Sequence, residues 1–170
     1  MSTAIEVTQE QIERFLAVAQ QTIAEVEHCW LVSRAQDGGA NARAVRAHVG
    51  APGSDQWTRR ILVRRASRKV AEIREAPRVT LAYQHDSGDR YVALGGTAAV
   101  VEDRAEMRSL WPAGMDAFFP PGFADANMVV LRVAVDRIEV HARGITREPF
   151  GTGRTLLQRE GVDRWRFIPG

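Results

Sequence analysis

Short runs of strand-forming residues, each broken by a turn signal, recur along this chain and narrow the folds open to it. Residues 29–35 form an apolar run, Asp37-Gly38-Gly39 supplies a hairpin turn, and residues 42–49 run back. Residues 78–85 and 90–101 repeat the pattern around Asp86-Ser87-Gly88-Asp89, and residues 154–159 and 165–168 repeat it near the end. Residues 58–64, 128–135 and 137–142 read as further strands. Serial hairpins predict an antiparallel sheet or barrel, mainly β with inserted helices, in the α+β class. No G-x-G-x-x-G follows a strand and there is no Walker A pattern, so the doubly wound nucleotide folds lack support. Gly95-Gly96 within the 90–101 run predicts a bulge or a close backbone approach.

Three helices interrupt the strands. Residues 8–27 carry Ile12, Phe15, Leu16, Ala19, Ile23 and Val26 at helical spacing, behind a Thr8/Gln11 capping box. Residues 67–75 form a helix stopped by Pro77, and Asp103 and Glu106 can cap another that reaches about Trp111. The spacing predicts one domain over 1–170: a helix to residue 27, a barrel core over 28–142, and a loop and hairpin over 143–170.

The stretch Ser67-Arg68-Lys69 is electrostatically odd. Lys69 is the only lysine among 23 basic residues. It sits beside Arg68 in a first helical turn, where the helix dipole already places positive charge. An anion at that helix end resolves the conflict, because free N–H groups, dipole and both cations would then point at one phosphate or carboxylate. A solvated surface pair is the competing reading, and the residues alone leave the two open. Ser67 reads as an N-cap, with a phosphate contact from its hydroxyl as a second role.

A net charge of +2 is too balanced for a general polyanion binder. The cations Arg59, Arg60, Arg64, Arg65, Arg68 and Lys69 crowd into residues 59–69, which suits a small anionic ligand better than nucleic acid. The single Cys29 excludes an intrachain disulfide and reads as a buried small hydrophobe. His28 and Cys29, as strand neighbours, point to opposite faces. The remaining histidines lack metal-ligand spacing, so no metal is expected. No catalytic side chain is nominated. No apolar run approaches the roughly 20 residues of a membrane span. The polar start MSTAIEVTQEQIE is unlike a signal or transit peptide, so a cytoplasmic location is expected.

The motifs ILVRRASRKVAEIREAPRVTLAY, YVALGGTAAVVEDRAEMRSLW and LWPAGMDAFFPPG occur in the order and spacing of a known family. Over residues 10–142 the chain resembles the pyridoxamine 5′-phosphate oxidase-like proteins, in particular the general stress protein 26 branch. The resemblance implies an antiparallel split β-barrel of the FMN-binding type, and a homodimer with two FMN molecules in clefts at the subunit interface. It maps the phosphate contacts onto Arg43, Arg68 and Lys69, and the flavin-lining backbone onto Leu62 and Val63. Ala44, Val45 and Arg46 would run beneath the ring, and Tyr91 would open the later strand that contacts it. Trp111 is the tryptophan placed to approach the ring.

The C-terminus RTLLQREGVDRWRFIPG is similar to the last hairpin of the true oxidases, which makes Arg154 a flavin contact across the dimer. Two departures argue against pyridoxine phosphate as substrate. The oxidases' R-L-H substrate motif is replaced by Phe150, Gly151 and Thr152, and a tryptophan is replaced by His141 in IEVHA. Arg147 could supply a displaced cation. The resemblance therefore implies a flavin-dependent oxidoreductase with another substrate. The alternatives are a non-enzymatic flavin-binding stress or sensor protein, and a binder of haem or a deazaflavin in the same cleft.

Overall fold

Thr8 opens the first helix, α1 (Gln9–Glu25), through the expected capping box: its hydroxyl accepts from the Gln11 N–H, and the Gln11 side chain accepts from the Thr8 N–H. The computed structural model describes residues 7–50, 53–119, 122–124, 127–146 and 154–169. Ile12, Phe15, Val18, Ala19 and Ile23 bury one face of α1 against the sheet. Burying the Ile, Phe and Val side chains contributes about 1.5–3 kcal/mol each.

The described strands are β1 (Cys29–Arg34), β2 (Ala40–Val45), β3 (His48–Val49), β4 (Thr58–Arg64), β5 (Arg78–His85), β6 (Arg90–Val101), β7 (Met128–Ala142), β8 (Thr155–Arg159) and β9 (Trp165–Ile168). Helices α2 (Arg68–Glu75) and α3 (Arg104–Ser109) interrupt them. All pairings are antiparallel, in the order β2-β1-β5-β6-β7-β4-β3, with β8 and β9 continuing from β7. Among the described residues, no helix is long and apolar enough to cross a membrane.

The margins of this sheet explain its shape. β2 and β3 lie at opposite ends of the strand order, yet only Arg46 and Ala47 separate them in the chain. So short a link spans at most about 10 Å. The two margins therefore meet at this corner, and the sheet curls into a half-closed barrel. The single strand expected over 42–49 is thus two strands with different partners: Ala40–Val45 pairs with β1, and His48–Val49 pairs with β4. Alternation of faces stops at Val45, which is buried, whereas Val49 is 62% exposed.

A second difference lies in β7. Residues 128–135 and 137–142 form one continuous strand, and Asp136 is the extra residue of a bulge. Gly95 pairs with Arg137 and Gly96 with Val135, so the register shifts between the two glycines, where the sequence predicts it. A Cβ on Gly96 would stand 2.4 Å from the Ala134 carbonyl oxygen. Only glycine allows that approach.

The barrel interior holds Leu31, Ile61, Leu81, Leu94, Leu131, Val133, Ile138 and Leu157. Trp57 meets Trp165 edge to face at 5.4 Å, which ties the C-terminal hairpin to the core. Arg59 also lies inside, 2% exposed, donating to the Gln56 and Thr58 carbonyls at 2.8 and 3.0 Å. The arginines of residues 59–69 therefore do not form one surface patch. Arg59 points inward, Arg60 donates to the Val49 carbonyl, and Arg65 binds Asn127 and Glu102. α3 is shorter than expected. Asp103 caps it, accepting from the Ala105 and Glu106 N–H groups, while the Glu106 carboxylate pairs with Arg132.

Candidate cofactor site

The barrel is open where β4 runs beyond β3. The β3 ladder covers only Arg59 and Arg60, while β7 pairs with all of β4 from Thr58 to Arg64. Among the described residues, the main chain at Leu62 and Val63 thus has a sheet partner on one side only. The Val63 side chain is buried in the barrel core. Leu62 packs on a smaller cluster of Met107, Leu110, Met128 and Val130.

Ser67 and α2 stand at the end of this open edge. Ser67 has the extended backbone of an N-cap, but its side chain makes no capping hydrogen bond. Its Oγ is buried and has no partner. This differs from the plain N-cap expected and leaves a donor and acceptor beside free helix N–H groups. The first turn contains no acid. Lys69 is half-buried. Burial, then the charge of Arg43, lower its ammonium pKa, while Glu72 acts in the opposite sense.

Arg43 reaches the same place from β2, where it lies opposite Leu31. Its guanidinium donates to Ser33 Oγ, to the Asn41 carbonyl at 3.2 Å, and to the carboxylate of Glu72. Ser33 Oγ and Asn41 Nδ2 also donate to Glu72, each at 2.6 Å. Arg68 Nε lies 3.3 Å from Glu72 Oε1, with an otherwise exposed side chain. Burial pushes the Glu72 carboxyl up, but the donors Ser33, Arg43 and Asn41 outweigh it and hold the group below its ordinary value. Glu72 was not anticipated. Its one sequence signal is the i,i+4 spacing from Arg68 on an amphipathic helix.

Three other expected residues gather elsewhere. Tyr91 and His141 pair across β6 and β7, with rings stacked at 5.8 Å and 23°. Together with Arg154, Trp30, Ala82 and Glu139 they line a cleft of about 550 Å³. Arg154 lies 4.0 Å from the Glu139 carboxylate, and Thr146 Oγ1 lies 3.3 Å from His141 Nδ1. Among the described residues, the walls of this cleft do not include Arg43, Ser67, Arg68 or Lys69. One chain thus carries two separate groups of candidate residues.

The rest are dispersed. Ala44 is exposed on the β2 margin, Val45 is buried, and Arg46 turns to Glu27 at 3.2 Å. Trp111 donates its indole N–H to Asp116 and packs on Phe119 and Phe123. Arg147, Phe150, Gly151 and Thr152 lie outside the described residues. Among the described residues, His, Cys, Asp and Glu side chains form no group able to hold a metal ion.

The family described as pyridoxamine 5′-phosphate oxidase like matches residues 16–147. The chain belongs to this pyridoxamine 5′-phosphate oxidase-like family. No curated protein matches it. Among solved structures, general stress protein 26 from Bacillus anthracis is similar at 16% identity and a TM-score of 0.60, covering 72% of this chain and 89% of that one. A pyridoxamine 5′-phosphate oxidase-related, FMN-binding protein from Nostoc punctiforme aligns at 14% identity and a TM-score of 0.65, covering 98% of both chains. PhzG from Burkholderia lata, solved with tetrahydrophenazine-1-carboxylic acid, aligns at 15% identity and a TM-score of 0.63, covering 99% of this chain and 98% of that one. These likenesses carry the fold, a split β-barrel.

Proposed function

We propose that this protein binds FMN and is a flavin-dependent oxidoreductase whose substrate is not pyridoxine phosphate. The observation that carries the reading is the convergence of Arg43, from the far margin of the sheet, on Lys69 and Arg68 at the start of α2. An arginine fork, a lysine point charge, free helix N–H groups and the unpartnered Ser67 hydroxyl suit a terminal phosphomonoester. The one-sided β4 edge offers main-chain donors and acceptors to the polar rim of a flat heterocycle. FMN, when bound, would supply the electron-transfer chemistry. The residues named here would hold the phosphate, orient the ring and keep water from its edge.

The separation of the two groups favours a homodimer. A twofold partner would cover the face that carries exposed Trp30 and Tyr91, and would bring its own Tyr91, His141 and Arg154 to the open edge of the first subunit. Two equivalent composite clefts would result. The pyridoxamine 5′-phosphate oxidase-related neighbour is described as FMN-binding, which supports the cofactor. The replacement of the oxidases' R-L-H motif by Phe150, Gly151 and Thr152, and of a tryptophan by His141, favours a second reading: a flavin-binding stress or sensor protein without turnover.

The deciding experiment is the absorption spectrum of purified protein with and without FMN, alongside its solution mass. A flavin spectrum shifted from free FMN, one flavin per chain and a dimer mass are expected. A protein that stays colourless with excess FMN overturns the proposal, and a haem or deazaflavin spectrum replaces the cofactor. Sustained turnover with a reduced nicotinamide and an artificial acceptor separates the oxidoreductase from the sensor.

A further inference from the structure

We propose that Glu72 is the positioning residue of the phosphate anchor: its buried carboxylate holds Arg43 ready and tunes the site to a phosphomonoester dianion. The proposal rests on the flavin reading only for the name of the ligand, since the contacts of Glu72 are independent of it.

Glu72 is 2% exposed, one turn beyond Arg68 on α2. Its Oε2 accepts from Ser33 Oγ and from Arg43, and its Oε1 accepts from Asn41 Nδ2 and faces Arg68 Nε. Every neighbour is a donor, so an ionised carboxylate, which only accepts, satisfies them all. A glutamine would turn its amide N–H₂ onto the Ser33–Arg43 side or onto the Asn41–Arg68 side. Through these contacts Arg43 is ordered when the protein folds, and its rotamer entropy is not lost again when a ligand arrives.

The charge follows the same logic. Arg43, Arg68 and Lys69 bring three positive charges, Glu72 removes one, and the two that remain balance a phosphate monoester dianion. A flavin without the phosphate gains nothing from this balance. A clamp that merely ties α2 to β1 and β2 would be indifferent to the distinction.

The test compares wild type, Glu72→Gln, Arg43→Ala and the double variant by titration calorimetry with inorganic phosphate, FMN and riboflavin. Glu72→Gln is expected to weaken phosphate and FMN by about tenfold or more, the worth of a displaced charge-assisted hydrogen bond, and to leave riboflavin unchanged. Added to Arg43→Ala, it is expected to cost no further affinity. Phosphate binding by Glu72→Gln equal to or tighter than wild type overturns the proposal. So does an equal loss for FMN and riboflavin, or a wild type that binds no phosphate. If wild type binds phosphate but not FMN, the flavin reading fails and Glu72 is judged on phosphate alone. Should Glu72→Gln fail to fold, Glu72→Asp keeps the charge but retracts it. Weakened phosphate binding in that variant supports the proposal, and wild-type binding overturns it.

Discussion

The two groups of candidate residues differ in how their polar atoms are held. Where α2 packs on β1 and β2, Arg43, Ser33, Asn41 and Glu72 form a closed set in which each side chain fixes another. In the cleft lined from β1, β5, β6 and β7, the walls are a Tyr91–His141 stack and an exposed Trp30, and Arg154 reaches Glu139 only at 4.0 Å. The first arrangement suits an unchanging group such as a phosphate, whose charge and shape reward fixed partners. The second suits a flat ring, because an aromatic face stacks on another. The comparison separates a polar set closed within one chain from a cleft with exposed aromatic walls.

The sharpest way to break this comparison is Arg43→Ala. It removes one of the two arginines that face the buried Glu72 carboxylate and leaves only the exposed Arg68, so a loss of about 3 kcal/mol in stability is expected, together with loss of FMN affinity. Urea denaturation and flavin titration check both, and an unchanged stability would show that the set at the anchor is not closed. Next, Gly96→Val drives a side chain into the Ala134 carbonyl, at an expected cost of about 1–3 kcal/mol. Hydrogen exchange should loosen β6 and β7, which carry Tyr91 and His141, more than β2 and α2. Equal loosening would mean that the two regions are not independent.

Tyr91→Ala removes half of the aromatic stack and should cost about 0.5–1.5 kcal/mol in flavin affinity, for riboflavin and FMN alike. A loss confined to FMN would move Tyr91 to the phosphate side. The smallest effect is a slope with pH. The folded Glu72 carboxyl titrates below its unfolded value, which is about 4.3. In that window the unfolded chain binds more protons, so this contribution is complete above the unfolded value and is lost as pH falls through the folded one. Glu72→Gln should flatten the acid limb of stability measured by denaturation at stepped pH, and a slope equal to that of wild type would refute the assignment.

Local chemistry made much of this structure legible. The Thr8/Gln11 box, the strand over 58–64, the hairpin around Asp86 and the register shift at Gly95-Gly96 each follow from a few adjacent residues. Arg68 and Lys69 are legible as an anion-seeking pair because their charge opposes the dipole of their own helix. Features that depend on distant partners were not legible. The break after Val45 exists because the chain leaves β1 for β4, and no residue at Arg46-Ala47 marks a turn. Asp136 looked like a gap between strands until its partner glycines placed it in a bulge. Arg59 looked like one more surface cation, although the barrel closes around it.

By itself, the sequence determined a chain of antiparallel hairpins with a cationic helix start, since turn residues, periodicity and dipole electrostatics act over a few residues. Only the tertiary structure decided that Arg43 and Arg68 converge on a buried Glu72, and that Tyr91, His141 and Arg154 stand apart from them. Those outcomes depend on which strands pair at the margins of the sheet, and that choice is made by burial summed over the whole barrel rather than by any short stretch of chain.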